Sequence, residues 1–243
     1  MLRLLFCFLT VGLLSGSGVA VAQTVLEKAA PVGGNSVVTL DLKHASTIRV
    51  RPATDGQLRV RATVSINQNK LNDAFTMSLQ TTGTDLRVAS DLDAKRLAQA
   101  QPGDCPSGGT LYYGNWDHSK GGVRDGRAPV CADINYEITL PAATNLRIST
   151  ISGNVDVRGL TGELRANSIS GFVDVSWPAA RPASVALKTI TGEVYTDQEV
   201  AFSNRQQNPM VGYEVKGALG AGTGPLLRLE SVSGDVFFRR AQQ

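Results

Sequence analysis

From residue 146 onward, apolar and polar positions alternate in short bursts, and the bursts recur. Aligned on a glycine, four units read LRISTISGNVDV from Leu146, LRANSISGFVDV from Leu164, VALKTITGEVYT from Val185 and LRLESVSGDVFF from Leu227. In the first, Leu146, Ile148, Ile151, Val155 and Val157 form the apolar set; the same columns run through the others, weakening at Thr196. Alternation of period two places successive side chains on opposite faces of a strand. It holds on both sides of Ser149 and Thr150 but slips by one residue there. The pattern predicts two short strands joined by a corner, with Ile151, Ile169, Ile190 and Val232 still facing the core.

The reference glycines, Gly153, Gly171, Gly192 and Gly234, are 18, 21 and 42 residues apart. A period of about 20 residues matches one coil of a stacked array. The doubled last interval predicts a degenerate coil or a looped-out hairpin within 197–222. One unit could not fold alone, because its few buried aliphatics are outweighed by the entropy of ordering its backbone; neighbours must stack on it. The expected fold class is all-β: a single-domain parallel β-helix (β-solenoid) with 18–21-residue coils and a disulfide-pinned loop insertion. The four glycines sit at inward positions, where a missing Cβ permits positive φ or close backbone approach, and they read as structural. A phosphate-cradling glycine loop would lead into a helix, and none follows.

Outward positions are where such an array carries chemistry. The pattern assigns to them two hydroxyl columns, Thr150, Ser168, Thr189, Ser231 and Ser152, Ser170, Thr191, Ser233. An arginine column, Arg147, Arg165 and Arg228, and a short acidic one, Asp156 and Asp174, accompany them. Hydroxyl ladders hydrogen-bond along a sheet; a flat one could also bind an ordered polar lattice such as glycan or ice. Asp156 and Asp174, one coil apart, should have Cα atoms about 5 Å from each other, with Glu193 and Asp235 in the adjacent column. Carboxylates so placed serve acid/base chemistry or hold calcium, unless Arg147, Arg158 and Arg165 neutralise them.

Before the array, Ile48, Val50, Leu58, Val60, Ala62 and Val64 share one parity with Gly56 between the runs, an imperfect earlier coil followed by strands AFTMSLQ and TDLRVAS. Residues 91–133 break the pattern: LDAKRLAQAQ could hold a helical turn, and a glycine-rich stretch follows. The predicted organisation is a signal peptide at 1–22, imperfect coils at 23–90, an insertion at 91–133, regular repeats at 134–239 and a tail at 240–243.

Residues 1–22 combine Arg3, the apolar run LLFCFLTVGLL and small residues ending in Ala20-Val21-Ala22, the plan of a cleavable secretory signal. The run is too short to span a bilayer, and no second apolar span exists, so the mature chain is expected to lack a transmembrane segment. The formal net charge is +3, and without Arg3 it is +2, which argues against a nucleic-acid partner. Of the three cysteines, Cys7 lies in the signal. Cys105 and Cys131 then leave one intramolecular pairing in an oxidising compartment, worth up to about 3 kcal/mol. A metal or catalytic thiol is the lesser reading, since no histidine stands at ligand spacing. His44 and His118 read as solvated loop residues. Tyr112, Tyr113 and Trp116, beside Asn115, Asp117 and His118, either cap the solenoid or form a sugar-binding surface.

The stretches INYEITLPAATNLRISTISGNVDVRGLTGELRANSISGFVDV and GALGAGTGPLLRLESVSGDVFF resemble the bacterial putative-adhesin family of exported β-strand-repeat domains. The likeness is close over Ile134 to Phe238, loose over Val37 to Val88, and does not reach the cysteine loop. It implies a parallel β-helix at the cell envelope and supplies no catalytic residues. The leading expectation is a non-catalytic exported scaffold or adhesive module, periplasmic or at the cell surface. Its partner would be a cell-surface glycan or an envelope protein, and it would need no cofactor. The alternative is a polysaccharide lyase or hydrolase using Asp156, Asp174 and Glu193.

Overall fold

A computed structural model describes residues 23–105, 111–113, 116–117, 122–123, 128–204 and 212–241, the short strands between 111 and 123 by their backbone alone. The expected signal peptide and His118 lie outside the described residues. Apart from a 3₁₀ turn at Asn72–Ala74 and one helical turn at Ala94–Leu97, every regular element described is a strand. Before the insertion come β1 (Thr24–Pro31), β2 (Val37–Leu42), β3 (Thr47–Ala53), β4 (Gln57–Ile66), β5 (Phe75–Thr82) and β6 (Asp85–Leu92). The insertion holds β7 (Leu111–Tyr113), β8 (Trp116–Asp117) and β9 (Gly122–Val123), and β10 (Val130–Pro141) leaves it. The repeats form β11 (Asn145–Thr150), β12 (Asn154–Arg158), β13 (Leu164–Ser168), β14 (Val173–Trp177), β15 (Ala183–Thr189) and β16 (Val194–Thr196). Last are β17 (Val200–Phe202), β18 (Tyr213–Leu219), β19 (Leu226–Ser231) and β20 (Val236–Arg240).

Two large sheets enclose the core. The first runs β1-β4-β10-β3-β12-β14-β20-β16, with β7 added on β10; the second runs β17-β18-β15-β19-β13-β11-β2-β6-β5; β8 and β9 form a separate ribbon. The strands from β10 to β16 of the first sheet are parallel, as are those from β15 to β6 of the second. Antiparallel strands flank both runs: β1 and β4 on the first sheet, β5, β18 and β17 on the second. The molecule is thus all-β with mixed sheets, where the repeats alone predict a uniformly parallel β-helix. The antiparallel strands come from hairpin-like reversals, such as the β5–β6 pair joined through Gly83 at φ +60°.

The order in which repeats stack also departs from their order in the chain. Leu146 pairs with Leu164, Leu164 with Leu227, and Leu227 with Val185. In the other sheet Val155, Val173, Val236 and Val194 follow the same order. The fourth unit therefore lies between the second and the third. The 42-residue interval is a looped-out hairpin: β17 and β18 fold back antiparallel at the margin of β15, and the chain then returns to fill the slot left open.

At the corners the register of burial differs from the sequence pattern. Thr150, Ser168, Thr189 and Ser231 are buried, whereas Ile151, Ile169 and Ile190 are 40–44% exposed. Alternation continues inward through Leu146, Ile148 and Thr150, two residues then bulge outward, and burial resumes at Gly153, Val155 and Val157. The buried hydroxyls have backbone partners. Ser168 Oγ accepts from the Gly171 N–H at 2.9 Å and donates to the Gly153 carbonyl at 2.9 Å. Ser231 does the same with Gly234 and Gly171, and Thr189 with Gly192 and Gly234. A hydroxyl with two satisfied partners is cheap to bury. Close stacking explains the glycines: a Cβ on Gly171 would lie 2.1 Å from the Gly153 oxygen, one on Gly234 2.3 Å from that of Gly171, and one on Gly192 2.2 Å from that of Gly234. None of the four has positive φ.

Between the sheets the core is continuous, from Leu40, Ile48 and Tyr136 to Trp177 and Phe238. Its polar atoms are tied in: Tyr136 Oη donates to Ser90 Oγ at 2.8 Å, and Trp177 Nε1 to the Arg181 carbonyl at 3.0 Å. Cys105 and Cys131 are joined by a disulfide with Cα atoms 5.3 Å apart. Cys131 is held in turn by Asn67, whose side chain accepts its N–H at 2.8 Å. The disulfide thereby ties the insertion to the strand that leaves it. Among the described residues no helix is long and apolar enough to cross a membrane.

Candidate functional site

Parallel, in-register pairing turns sequence columns into straight rows on the outer faces of the sheets. On the first sheet one row reads Glu137, Arg49, Asp156, Asp174, Phe237, Tyr195 across β10, β3, β12, β14, β20 and β16. The acidic column predicted from two repeats thus continues as an aromatic one through the other two. Phe172, which precedes β14 on the same face, completes the aromatic group.

Tyr195 and Phe237 stack with ring centroids 5.1 Å apart and planes 13° from parallel. Phe172 meets Phe237 edge-on at 6.1 Å. Tyr195 is 49% and Phe172 37% exposed, so the shelf faces solvent. The Arg239 guanidinium lies 4.5 Å from the Phe237 ring centroid, while its Nε donates to Asp174 at 3.0 Å. Next to this shelf an open groove of about 610 Å³ is bordered by Pro52, Arg158, Asp174, Ser176, Asp197 and Arg239, among others. Flat exposed rings beside fixed donors and acceptors suit sugars, whose apolar faces stack on aromatics while their hydroxyls hydrogen-bond.

The carboxylates of this row are engaged. Arg51 bonds Asp156 at 2.7 Å and Arg158 bonds it at 2.9 Å. Burial acts to raise the Asp156 pKa, but the hydrogen bonds from Arg51 and Arg158 prevail and hold it below the ordinary aspartate value. Burial pushes Asp174 up, only partly opposed by Arg239. The arginines expected to neutralise the pair included Arg147 and Arg165, which instead lie on the second sheet; Arg51 and Arg239, both distant in sequence, act with Arg158. Glu193 is not brought to the pair: two strands and two residues from Asp174, its Cα is about 12 Å away. Its backbone N–H is held by Asp235 Oδ1 at 2.9 Å.

Of the other predicted positions, Tyr112 and Tyr113 lie on β7 and Trp116 and Asp117 on β8, but their side chains and all of His118 fall outside the described residues. His44 is half-buried against Asp91, 3.7 Å away, where the sequence predicts a solvated loop histidine. Among the described residues no cluster of histidine, cysteine or carboxylate side chains could hold a metal ion. Sequence reasoning passed over Phe172, Tyr195 and Phe237. Their signal was present in the aligned repeats, as aromatics at outward parity positions.

No family model and no curated protein matches the chain. Among solved structures, a "putative cell adhesion protein" from Clostridium sporogenes superposes with a TM-score of 0.54 over 90% of this chain and 100% of that one, at 11% identity. A "putative adhesin" from Bacteroides fragilis, at 10% identity over 92% of this chain and 100% of that one, reaches a TM-score of only 0.31 and bears no weight. At such identities the likeness is one of fold: this chain shares the all-β architecture of a bacterial protein described as adhesive.

Proposed function

We propose that this protein is a non-catalytic, exported module of the bacterial envelope, periplasmic or on the cell surface. Its stacked passes serve as a rigid, solenoid-like scaffold, and the aromatic face of the first sheet binds cell-surface glycan. The observation that carries this reading is the solvent-facing shelf of Tyr195, Phe237 and Phe172, set against the fixed Arg239–Asp174 pair. The segment from Tyr112 to His118 supplies a second aromatic contact in the same proposal. The disulfide is compatible with export, and the fold shared with a "putative cell adhesion protein" is in keeping with a surface role. Polysaccharide cleavage by Asp156, Asp174 and Glu193 is disfavoured because Asp156 is bound by two guanidinium groups and Glu193 stands apart.

Binding to an array of bacterial surface glycans tests the proposal. Tyr195→Ala should weaken the best binder about tenfold, the loss of one stacking ring, with little change in the melting temperature. Release of saccharide product, or undiminished binding by that variant, would overturn it.

A further inference from the structure

The outer face of the second sheet carries a different row. In register across neighbouring strands stand Arg87, Thr39, Arg147, Arg165 and Arg228, followed by Ala186 and Lys216. Strands lie about 4.8 Å apart, so the three successive arginines are evenly spaced on a straight line. No acidic residue interrupts the row. Its counter-charges stand in the rows on either side: Asp41 meets Arg87 at 3.0 Å, Glu163 meets Arg165 at 3.0 Å, and Glu214 and Glu230 meet Arg228. Arg147 has no ion-pair partner among the described residues. It borders an open groove of about 220 Å³ along with Thr39, Ser149, Arg165, Asn167, Arg228 and one carboxylate, Glu230, which is paired with Arg228.

The two faces differ in how charge runs along the stack. On the first sheet the row mixes signs: Glu137, Arg49 and Asp156 alternate, Asp174 follows, and Arg51, Arg158 and Arg239 supply the remaining counter-charge. On the second, one sign repeats strand after strand. Because the counter-charges flank this row instead of standing in it, and Arg147 has none among the described residues, a line of external anions adds charge-assisted hydrogen bonds along it.

We propose that this arginine row binds a linear acidic polysaccharide laid across the strands, its anionic groups meeting successive guanidinium groups. The planar, multiply donating guanidinium suits carboxylate and sulfate oxygens alike. The stripe is one residue wide on a chain of formal charge +3, which fits a single polymer strand rather than a duplex nucleic acid that needs a broad basic face. The site is separate from the aromatic shelf and independent of the function proposed for it.

The test is titration of the full-length mature chain with polygalacturonate, dextran sulfate, neutral dextran and a single-stranded oligodeoxynucleotide, at low and moderate salt. One or both acidic polysaccharides should bind, with affinity falling as salt rises, and neutral dextran should not. Which of the two binds distinguishes carboxylated from sulfated sources. Arg147→Gln should weaken binding about fivefold and lower the salt slope by about one ion, with an unchanged melting temperature, since the exposed Arg147 side chain forms no ion pair or hydrogen bond among the described residues. Tyr195→Ala should leave this binding unaltered, which separates the two sites. Binding to neither polyanion, equal binding by Arg147→Gln, or preference for dextran or the oligodeoxynucleotide would overturn the proposal.

Discussion

Asp156 and Asp174 are neighbours in one row with the same side chain, yet their surroundings drive them in opposite directions. For Asp156 the two arginine bonds outweigh burial, and its pKa is lowered from 3.8. A carboxyl with a depressed folded pKa adds stability that is fully present above the unfolded value and is lost as pH falls through the folded one. Asp156→Asn should therefore cost about 1–3 kcal/mol near neutrality, the worth of charged hydrogen bonds at a half-buried site, and the cost should fade below about pH 4. For Asp174 burial dominates and its pKa is raised. Its ionised form is disfavoured in the fold at neutral pH, and acid relieves the penalty. Asp174→Asn should thus leave stability at pH 7 unchanged or slightly higher, a benefit gone below the unfolded value near 3.8. Urea unfolding of both variants from pH 3 to 8 measures this; equal losses at pH 7 would contradict it. The shared column was legible in the repeat. The partners were not, because Arg51 and Arg239 stand 105 and 65 positions away from the carboxylates they bind.

At the scale of one element, the corner between paired strands is the repeated device. Each corner hydroxyl holds its own glycine N–H and, from the second unit on, reaches the glycine carbonyl of the pass beside it, joining coils edge to edge. Gly171 is the tightest of the four, pressed on Gly153 at its own corner while Gly234 presses on it. Gly171→Ala should destabilise by about 1–3 kcal/mol or more, since backbone must move to admit the methyl group. Gly56→Ala, at an open turn with φ +68°, should cost only the smaller strain of that conformation. Thermal melts of the two variants make the comparison. The glycine column was readable from spacing. The identity of the buried column was not: alternation counts Ile as inward and Ser or Thr as outward. At this corner a doubly bonded hydroxyl goes inside, and Ile151, Ile169 and Ile190 are left at the rim.

For the molecule as a whole, late strands fill slots left by early ones. β10 enters between β3 and β4, and the β19–β20 pair enters between the second and third repeats. Native pairing of the third repeat with the second in both sheets therefore waits for the last residues of the array, a topology dominated by contacts remote in sequence, which folds slowly. A chain ending at Pro225 should lose cooperative unfolding, because β13 and β15, and likewise β14 and β16, would flank an unfilled gap with unpaired backbone groups. Circular dichroism melts and amide exchange of the truncated chain test this; a sharp transition with protected β13 and β15 amides would show that the gap closes without the fourth unit. The end of the first sheet is guarded locally, where the Tyr213 hydroxyl accepts the Val194 N–H on β16.

By itself the sequence determined the all-β class, the repeat, its aliphatic strand columns and its glycine corners. All of these follow from short-range alternation and from the steric demand of one backbone lying on another. Only the tertiary structure decided which repeat touches which, which strands reverse to make the sheets mixed, which residue of each corner is buried, and which distant arginines meet the acidic column. Those outcomes depend on register between strands far apart in the chain, and a periodic sequence is compatible with more than one stacking order until long-range pairing selects among them.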